Sequence, residues 1–559
     1  MSVSFFFRCV STLLVALSLI STACLYLYPV FDGCAFPSPD ASSLSAWTST
    51  LNHHIGNFDN HSLAPFRLLA LGDPQLEGDS SLPDLEDGYF SRARESWAQT
   101  SSTSKGLIDI TRICDFFAAA TRDDFPRIFQ LYRKRLDLLG NDYYLAHIYR
   151  MMHWWTKPTH VTVLGDLIGS QWVSDSEFES RGWRFWNRVF GGGRKIEEDV
   201  TGHVTTDVLG LDEAWENRII NVAGNHDVGY AGDMTPERLE RFARVFGKPN
   251  WEIRFQLPLS GNDSKSDAEP SIAPELRIVV LNDLNMDTPA LHPEEQEATY
   301  AFINNVIASS RPVGDSSSAT ILLTHVPLSK PPGVCVDSPF FAFHASEYGA
   351  GISEQNHLSP DASKAILEGV FGFNGHSDAP GGGMGRTGII LTGHDHEGCD
   401  TLHYVDQVVE GENSNWKAQR WSEATTTATK ASSPSVREVT VRSMMGDFGG
   451  NAGLLSAWFD SEARRWQFEY STCGVGKQHI WWAIHILDLV TVVVLLWVGT
   501  GWARKTLASS SMDGKLVAST REAKSNGHAG EANTIQCGSS TGVSLTGSRG
   551  DGDRKRVNR

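Results

Sequence analysis

"RIINVAGNHD", residues 218–227, runs from a charged start through Ile219–Ala223 into Gly224-Asn225-His226-Asp227. A short, near-continuous apolar run that stops at a polar cluster reads as a strand buried on both faces. Five other runs have the same form: "FRLLALGD" (66–73), "HVTVLGD" (160–166), "LRIVVLND" (276–283), "ATILLTHVP" (319–327) and "GIILTGHDH" (388–396). Helical patterns at 125–155 and 293–309 lie between them. Strands alternating with helices predict an α/β body with its sheet covered on both faces. Later segments, 437–444, 452–459 and 465–472, have little helix between them and read as an antiparallel set. Segments 191–215, 258–274 and 411–435 read as loops or insertions.

Groups at the carboxyl ends of such strands converge on one site however far apart they lie in sequence. Five of the six runs end in residues that ligate metals: Asp73, Asp166, Asn225, His325, and the pair His394 and His396. Mixed oxygen and nitrogen donors suit Zn, Mn or Fe rather than Ca or a thiolate-bound metal. Each piece also has a plain reading. A Gly-Asp after a strand is ordinary turn chemistry, and a single strand-end histidine is commonly a hydrogen-bonded structural residue. The ordered set is far more specific than any member.

That set resembles the calcineurin-like metallophosphoesterase superfamily, whose pattern is D-x-H, GD, GNH(D/E), H and GHxH. Here the corresponding pieces are "GDPQ", "GDLIG", "GNHD", "THVP" and "GHDH", spread over about 66–400. The resemblance implies an α/β fold in which a two-sheet β-sandwich is flanked by helices, holding two divalent metal ions (Mn, Zn or Fe). One ion would be held by Asp73, Gln75, Asp166 and His396, the other by Asp166, Asn225, His325 and His394, with Asp166 shared. His226, the catalytic residue, would face the phosphate and, when protonated, either stabilise the developing charge or protonate the leaving oxygen. Asp227 either orients His226 or caps the following segment. Paired cations neutralise a phosphodiester and acidify the water between them. "GDLIGSQW" lacks the Asp-Arg-Gly of protein Ser/Thr phosphatases, which disfavours that activity. Gln75 stands where the pattern has histidine, and an amide oxygen is a weaker donor than imidazole.

The chain has 559 residues, 41% of them hydrophobic and 20% charged, with net charge −18. The tail 503–559 carries +5 and residues 1–30 carry +1, leaving −24 for the middle. So acidic a body repels phosphate backbones, which argues against nucleic acid as a partner. Residues 9–31 are uncharged, and 480–502 are apolar with tryptophan at both ends. Each is long enough to span a bilayer, and tryptophan suits the interfaces. A cleaved signal peptide is the alternative for the first, although "YLYPVF" lacks the small residues of a cleavage site. Asp488 within the second span requires a polar partner or a position near the interface. Arg504, Lys505 and the basic tail place 503–559 in the cytosol. The expected order is a cytosolic N-terminus (1–8), a span (9–31), a lumenal connector (32–65), a lumenal catalytic domain (66–474), a span (480–502) and a disordered cytosolic tail. Asn60 and Asn262 head glycosylation sequons. Cys34, Cys114, Cys335, Cys399 and Cys473 lie in the lumenal part, and an odd number leaves one unpaired. Cys335 and Cys399 each follow a ligand segment, so they read either as a disulfide bracing the site or as two unrelated cysteines.

"GDPQ", the two flanking spans and "VRSMMGDFGGNAGLLSAWF" (441–459) further resemble the fungal, endoplasmic-reticulum-type branch of the superfamily. That branch is implied to remove ethanolamine phosphate from glycosylphosphatidylinositol (GPI) glycans, aiding export of GPI-anchored proteins. The partners implied are therefore GPI-anchored proteins and membrane lipid, in the endoplasmic reticulum or Golgi. Gln75 then marks the branch, and Gln355 and Asn356 in "SEYGAGISEQNHLS" (346–359) become substrate contacts. The "MMGDFGGNAG" loop is either a substrate-facing rim or ordinary turn glycine. Rival readings are a phosphoesterase for a lumenal nucleotide or phospholipid, and a non-catalytic membrane scaffold. Gln75→His is expected to tighten metal binding and alter turnover. Unchanged metal affinity and rate in a metal titration would exclude direct ligation by residue 75.

Overall fold

The computed structural model describes residues 3–39, 43–56, 63–78, 82, 88–100, 110–258, 273–406, 415–424 and 433–525. The sequons at Asn60 and Asn262 lie outside the described residues. Strands β1 (Phe66–Leu71), β2 (His160–Val163), β3 (Arg194–Lys195), β5 (Arg218–Asn221), β15 (Asn451–Asp460) and β16 (Arg465–Gly474) form one sheet, in the order β16–β15–β1–β2–β5–β3. The second sheet contains β4 (Thr205–Val208), β6 (Trp251–Gln256), β7 (Glu275–Val280), β8 (Ser318–Leu323), β11 (Thr387–Thr392), β12 (Cys399–Val405), β13 (Trp416–Arg420) and β14 (Ser435–Thr440). Its order is β13–β12–β14–β11–β8–β7–β6–β4. A ribbon of β9 (Phe341–Phe343) and β10 (Ile352–Gln355) stands apart from both.

Alternation along each strand explains why two sheets form. Phe66, Leu68 and Ala70 of β1 point into an apolar cluster shared with Ile278 of β7, Ile321 of β8 and Ile389 of β11. Leu69 and Leu71 of the same strand join a second cluster with Leu145, Ile148 and Met152 of the helix Phe125–Thr156. Successive side chains face opposite ways, so one strand serves the sheet–sheet interface and the helix layer together. The two-sheet sandwich flanked by helices is therefore the observed architecture.

Two expectations are corrected. The three late segments do not form one antiparallel set: β15 pairs antiparallel with β16 and β1, whereas β14 runs parallel to β11 in the other sheet. The chain consequently crosses between sheets through 441–450. Segment 191–215 is not purely loop, since it supplies the edge strands β3 and β4.

The chain divides into two units, Leu14–Leu489 and a second made of Met1–Leu13 with Val490–Arg559. Among the described residues, two helices are long and apolar enough to cross a membrane, over Phe6–Tyr26 and Gln478–Arg504. The first ends at Tyr26, and Tyr28–Phe31 is a separate short helix with proline in its first turn. In the larger unit, Asp488 receives hydrogen bonds from Ser18 and Thr22, the partners its position requires. The last helix continues to Ser525, where the composition predicts disorder. Alanine, lysine and leucine in 503–525 favour helix, and no proline interrupts them. The segment after the first span is more than a connector: Cys34 is bonded to Cys473, and Phe36 is buried.

Glu438 fixes the loop that follows β8. One carboxylate oxygen accepts from Leu328 N at 2.9 Å; the other pairs with Lys330 Nζ at 2.9 Å and with His403. All three side chains are buried. Burial alone would raise the Glu438 pKa, but Lys330 and His403 outweigh it and hold it at about 2. Glu438→Gln leaves the Lys330 charge unpaired and is expected to cost about 3 kcal/mol in denaturant unfolding. Because the folded pKa is depressed, wild type should keep this contribution above the ordinary glutamate range, near pH 4.5, and lose it as pH falls toward 2. A variant whose stability tracks wild type through that window would refute the assignment.

Candidate dinuclear metal centre

β1, β2 and β5 are parallel neighbours, as are β8 and β11, so their carboxyl ends open at one edge of the sandwich. Asp73, Asp166, Asn225, His325, His394 and His396 follow those ends. Donor atoms of Asp166, His325 and His394 lie within 4.8 Å of one another. Those of Asp73, Asp166 and His396 do the same. The two triplets share Asp166, the arrangement that two cations bridged by one carboxylate demand.

The backbone is strained to achieve this. Asp73 (φ 46°), Gln75 (φ 41°), Asp166 (φ 51°) and His394 (φ 74°) all occupy the left-handed region that residues other than glycine seldom adopt. Such strain persists only where the surroundings enforce it, and it gathers at functional sites. Two glycines are obligatory nearby. A Cβ on Gly224 would fall 2.0 Å from Asp166 N, and one on Gly165 (φ +90°) would fall 2.2 Å from His325 Nδ1.

Hydrogen bonds set each ligand's orientation. His325 Nδ1 donates to Leu164 O at 2.7 Å, which leaves the Nε2 lone pair facing Asn225 Oδ1 at 3.0 Å and Asp166 Oδ1 at 3.4 Å. His394 Nε2 donates to Gln355 O at 2.9 Å, freeing Nδ1 for the site. Asp227 is a backbone clamp. Its oxygens accept from Gly224, Leu167 and Ile168 N at 2.9, 3.2 and 3.0 Å, tying the GNHD turn to the GDLI turn. It therefore caps the turn and does not orient His226.

Electrostatics make the cluster a cation receptor. Burial raises the Asp73 pKa well above its ordinary value, and the neighbouring Asp166 carboxylate raises it further. Asp166 is itself buried, yet the nearby histidines outweigh burial and keep its pKa low. Burial lowers His325 and His396, and lowers His394 to about 3, so these imidazoles are neutral and their lone pairs available. Asp73 Oδ2 is buried with no hydrogen-bond partner. An orphaned carboxylate oxygen beside neutral imidazoles fits a divalent cation.

Gln75 sits inside the ligand set. Its Nε2 donates to Asp166 Oδ2 at 3.0 Å and lies 3.2 Å from His396 Nε2, so its N–H groups satisfy two acceptors that would otherwise face a cation. A half-turn of the amide replaces Nε2 with Oε1, the atom able to ligate.

The cleft above the cluster has a volume of about 400 Å³ and is lined in part by Gln75, His226, Tyr230, Glu354 and Asn356. His226 is 37% exposed there, its Nε2 3.8 Å from Asp166 Oδ2. Gln355 is not on the cleft wall. Its side chain is fully buried with Nε2 on Asp287, and its carbonyl serves His394, so its expected role as a substrate contact is corrected. Cys335 and Cys399 are bonded to each other. Cys114, Cys9 and Cys24 are free.

Several supporting residues escaped the sequence reading. Asp283 accepts from His325 N and Val326 N, and burial raises its pKa to about 7. It ends the one apolar run of the six to which no ligand was assigned, so its strand-end position was an available signal. Ser443 Oγ donates to Asp73 O at 3.1 Å, and the Phe448 ring meets the His396 ring edge-on at 4.8 Å. The loop crossing between the sheets thus braces the ligands from above.

No family model matches the chain. It aligns with Protein TED1 of Saccharomyces cerevisiae at 36% identity over 465 residues, 75% of this chain and 89% of that one. Metallophosphoesterase 1 of Danio rerio is 22% identical over 286 residues, 48% of this chain and 60% of that one. A crystal structure of a dimetal phosphatase from Danio rerio covers 74% of this chain and 98% of its own at 10% identity, with a TM-score of 0.29. From the TED1 alignment and the ordered ligand set, the chain belongs to the calcineurin-like metallophosphoesterase superfamily, in its TED1-like branch, and is a metal-dependent phosphoesterase.

Proposed function

We propose that this enzyme is a membrane-anchored phosphodiesterase that removes ethanolamine phosphate from GPI glycans in the endoplasmic reticulum or Golgi lumen, aiding export of GPI-anchored proteins. The observation that carries the reading is the pair of ligand triplets sharing Asp166, with His226 on the open side of the same cleft. Asp73, Gln75, Asp166 and His396 would hold one divalent ion, and Asp166, Asn225, His325 and His394 the other. Bound there, the ions supply charge neutralisation of the phosphodiester and acidification of water.

The chain's own residues do the rest. The Asp166 carboxylate fixes the His226 backbone, since His226 N donates to its Oδ1 at 2.9 Å. His226 can then present its imidazole to the phosphorus from the solvent side. Water oxygen forms the new bond to phosphorus, the bond to the sugar oxygen breaks, and His226 delivers the proton that the departing alcohol needs. Glu354 on the cleft wall supplies negative charge, which suits a primary ammonium such as that of ethanolamine. The disulfides Cys34–Cys473 and Cys335–Cys399 agree with an oxidising lumen.

Asp166→Asn should lose bound metal and turnover of a chromogenic phosphodiester together. His226→Ala should keep the metal while its rate falls about 10²–10⁴-fold. Chelation should abolish activity, and Mn or Zn should restore it. Metal bound at full occupancy without turnover of any phosphoester by wild type would favour a scaffold. For the substrate, mass spectrometry of GPI glycans from cells carrying Asp166→Asn should show retained ethanolamine phosphate. Unchanged glycans would overturn the GPI assignment and leave the phosphoesterase intact.

A further inference from the structure

The helix Phe125–Thr156 carries an apolar face that, among the described residues, no helix or strand covers from Phe129 to Leu139, while the Phe90 ring meets Phe125 edge-on at its start. Phe125, Phe129, Tyr132, Leu136, Leu139 and Tyr143 are each between 39 and 70% exposed. Their spacing of four and three residues places them in a single row along the helix. Soluble surfaces seldom keep so long a contiguous apolar row without an occupant.

What the same row meets further along identifies that occupant. Gly140 is one turn beyond Leu136, and a Cβ there would fall 1.7 Å from the Trp482 ring. His147 is one turn beyond Tyr143, and its ring meets Tyr26 edge-on at 4.9 Å. Tyr26 ends the first apolar helix, and Trp482 begins the last. The face that leaves Phe129 and Leu136 bare is thus the face that rests on the ends of both apolar helices. Charge agrees: Arg127, Arg133, Lys134 and Arg135 outnumber Asp137 and Asp142 in the exposed stretch. The Arg135 guanidinium lies 5.9 Å from the Tyr132 ring centre, a basic head at the margin of the apolar row.

We propose that Phe125–Tyr143 is an interfacial helix, lying on the bilayer with its aromatic row inserted among the headgroups and upper acyl chains. The proposal rests on the reading that the two apolar helices span a membrane. A face continuous with two membrane-crossing helices, apolar in the middle and basic at its edges, has the design of a helix that binds a lipid surface in plane. A second copy of the chain is the rival occupant, but Gly140 and Trp482 end the row before a long seam could form.

The helix is also tied to the catalytic cleft. Arg184 joins Asp142 of the helix, at 2.6 and 2.8 Å, to the carbonyl of Glu77, at 2.5 Å. Lys134 pairs with the Glu77 carboxylate at 2.7 Å. Glu77 is two residues from Gln75. The lipid-bound helix therefore sets the height of the cleft above the bilayer, suiting a phosphodiester carried on a lipid anchor.

The test uses the full chain in phosphatidylcholine vesicles whose acyl chains carry a doxyl quencher near the headgroup. Cys9, Cys24, Cys114 and Cys537 are first replaced by serine. An environment-sensitive fluorophore is then attached at Phe129→Cys, Leu136→Cys, Leu489→Cys within the last apolar helix, or Glu462→Cys in an exposed turn. Quenching at 129, 136 and 489 but not at 462 is the expected result, with depths of about 5–10 Å for the first two. Quenching at 489 without quenching at 129 and 136 overturns the interfacial helix and leaves the spans intact. No quenching at 489 overturns the membrane reading and this proposal with it. Disulfide trapping between two Leu136→Cys copies, with no quenching there, assigns the face to a dimer instead. In the same vesicles, Phe129→Glu with Leu136→Glu should preserve turnover of a soluble chromogenic phosphodiester and reduce turnover of a lipid-anchored one on the order of tenfold. Equal rates on both substrates would overturn the link between helix and cleft.

Discussion

Asp166 is a fully buried carboxylate at the end of β2, held at positive φ, and both ligand triplets include it. The surrounding chain is shaped to keep it there. Gly224 has no side chain because Asp166 N occupies the space a Cβ would need. Asp166 O accepts from Gln75 N at 2.8 Å, which ties the first ligand loop to the second. Asp227 locks the backbone on either side of the GNHD turn. Asp73 and Asp166, two buried carboxylates so close together, repel each other. A cation on each side resolves the conflict that the fold has built.

The same constraint explains where the framework spends its rigidity. Four ligand-loop residues hold left-handed backbone conformations, and such strain needs firm anchorage. The sandwich supplies it, since β1, β2, β5, β8 and β11 are central strands with both faces covered. Around them stand buried polar clamps: Asp283 beneath His325, Glu438 beneath the loop that follows it, and Ser443 above Asp73. Each clamp satisfies backbone N–H or C=O groups that irregular turns would otherwise leave unpaired.

The strand ends and their ligands were legible in the sequence because they are local patterns: an apolar run, a glycine and a donor residue. Their order along the chain supplied the specificity. The supporting layer was not legible, because it is made of contacts across hundreds of residues. Ser443 reaches Asp73, and Phe448 reaches His396, only because the chain changes sheets between β14 and β15. β14 itself carries Glu438, whose buried pairing with Lys330 and His403 no periodicity reveals. Gln355 was misread for the opposite reason: its polar side chain suggested a cleft contact, while its backbone carbonyl orients His394. Only Asp283 carried a local signal that went unused.

Gln75 gathers these points. Histidine at this position would arrive with a directional lone pair and a second nitrogen needing its own partner. Glutamine brings a reversible amide that can satisfy Asp166 and His396 through its N–H groups or face a cation through its oxygen. The loop it occupies is joined through Glu77 to the helix whose apolar row lies beside the ends of the two apolar helices. The weakest donor of the site is thus two residues from Glu77, whose carbonyl and carboxylate tie its loop to that helix.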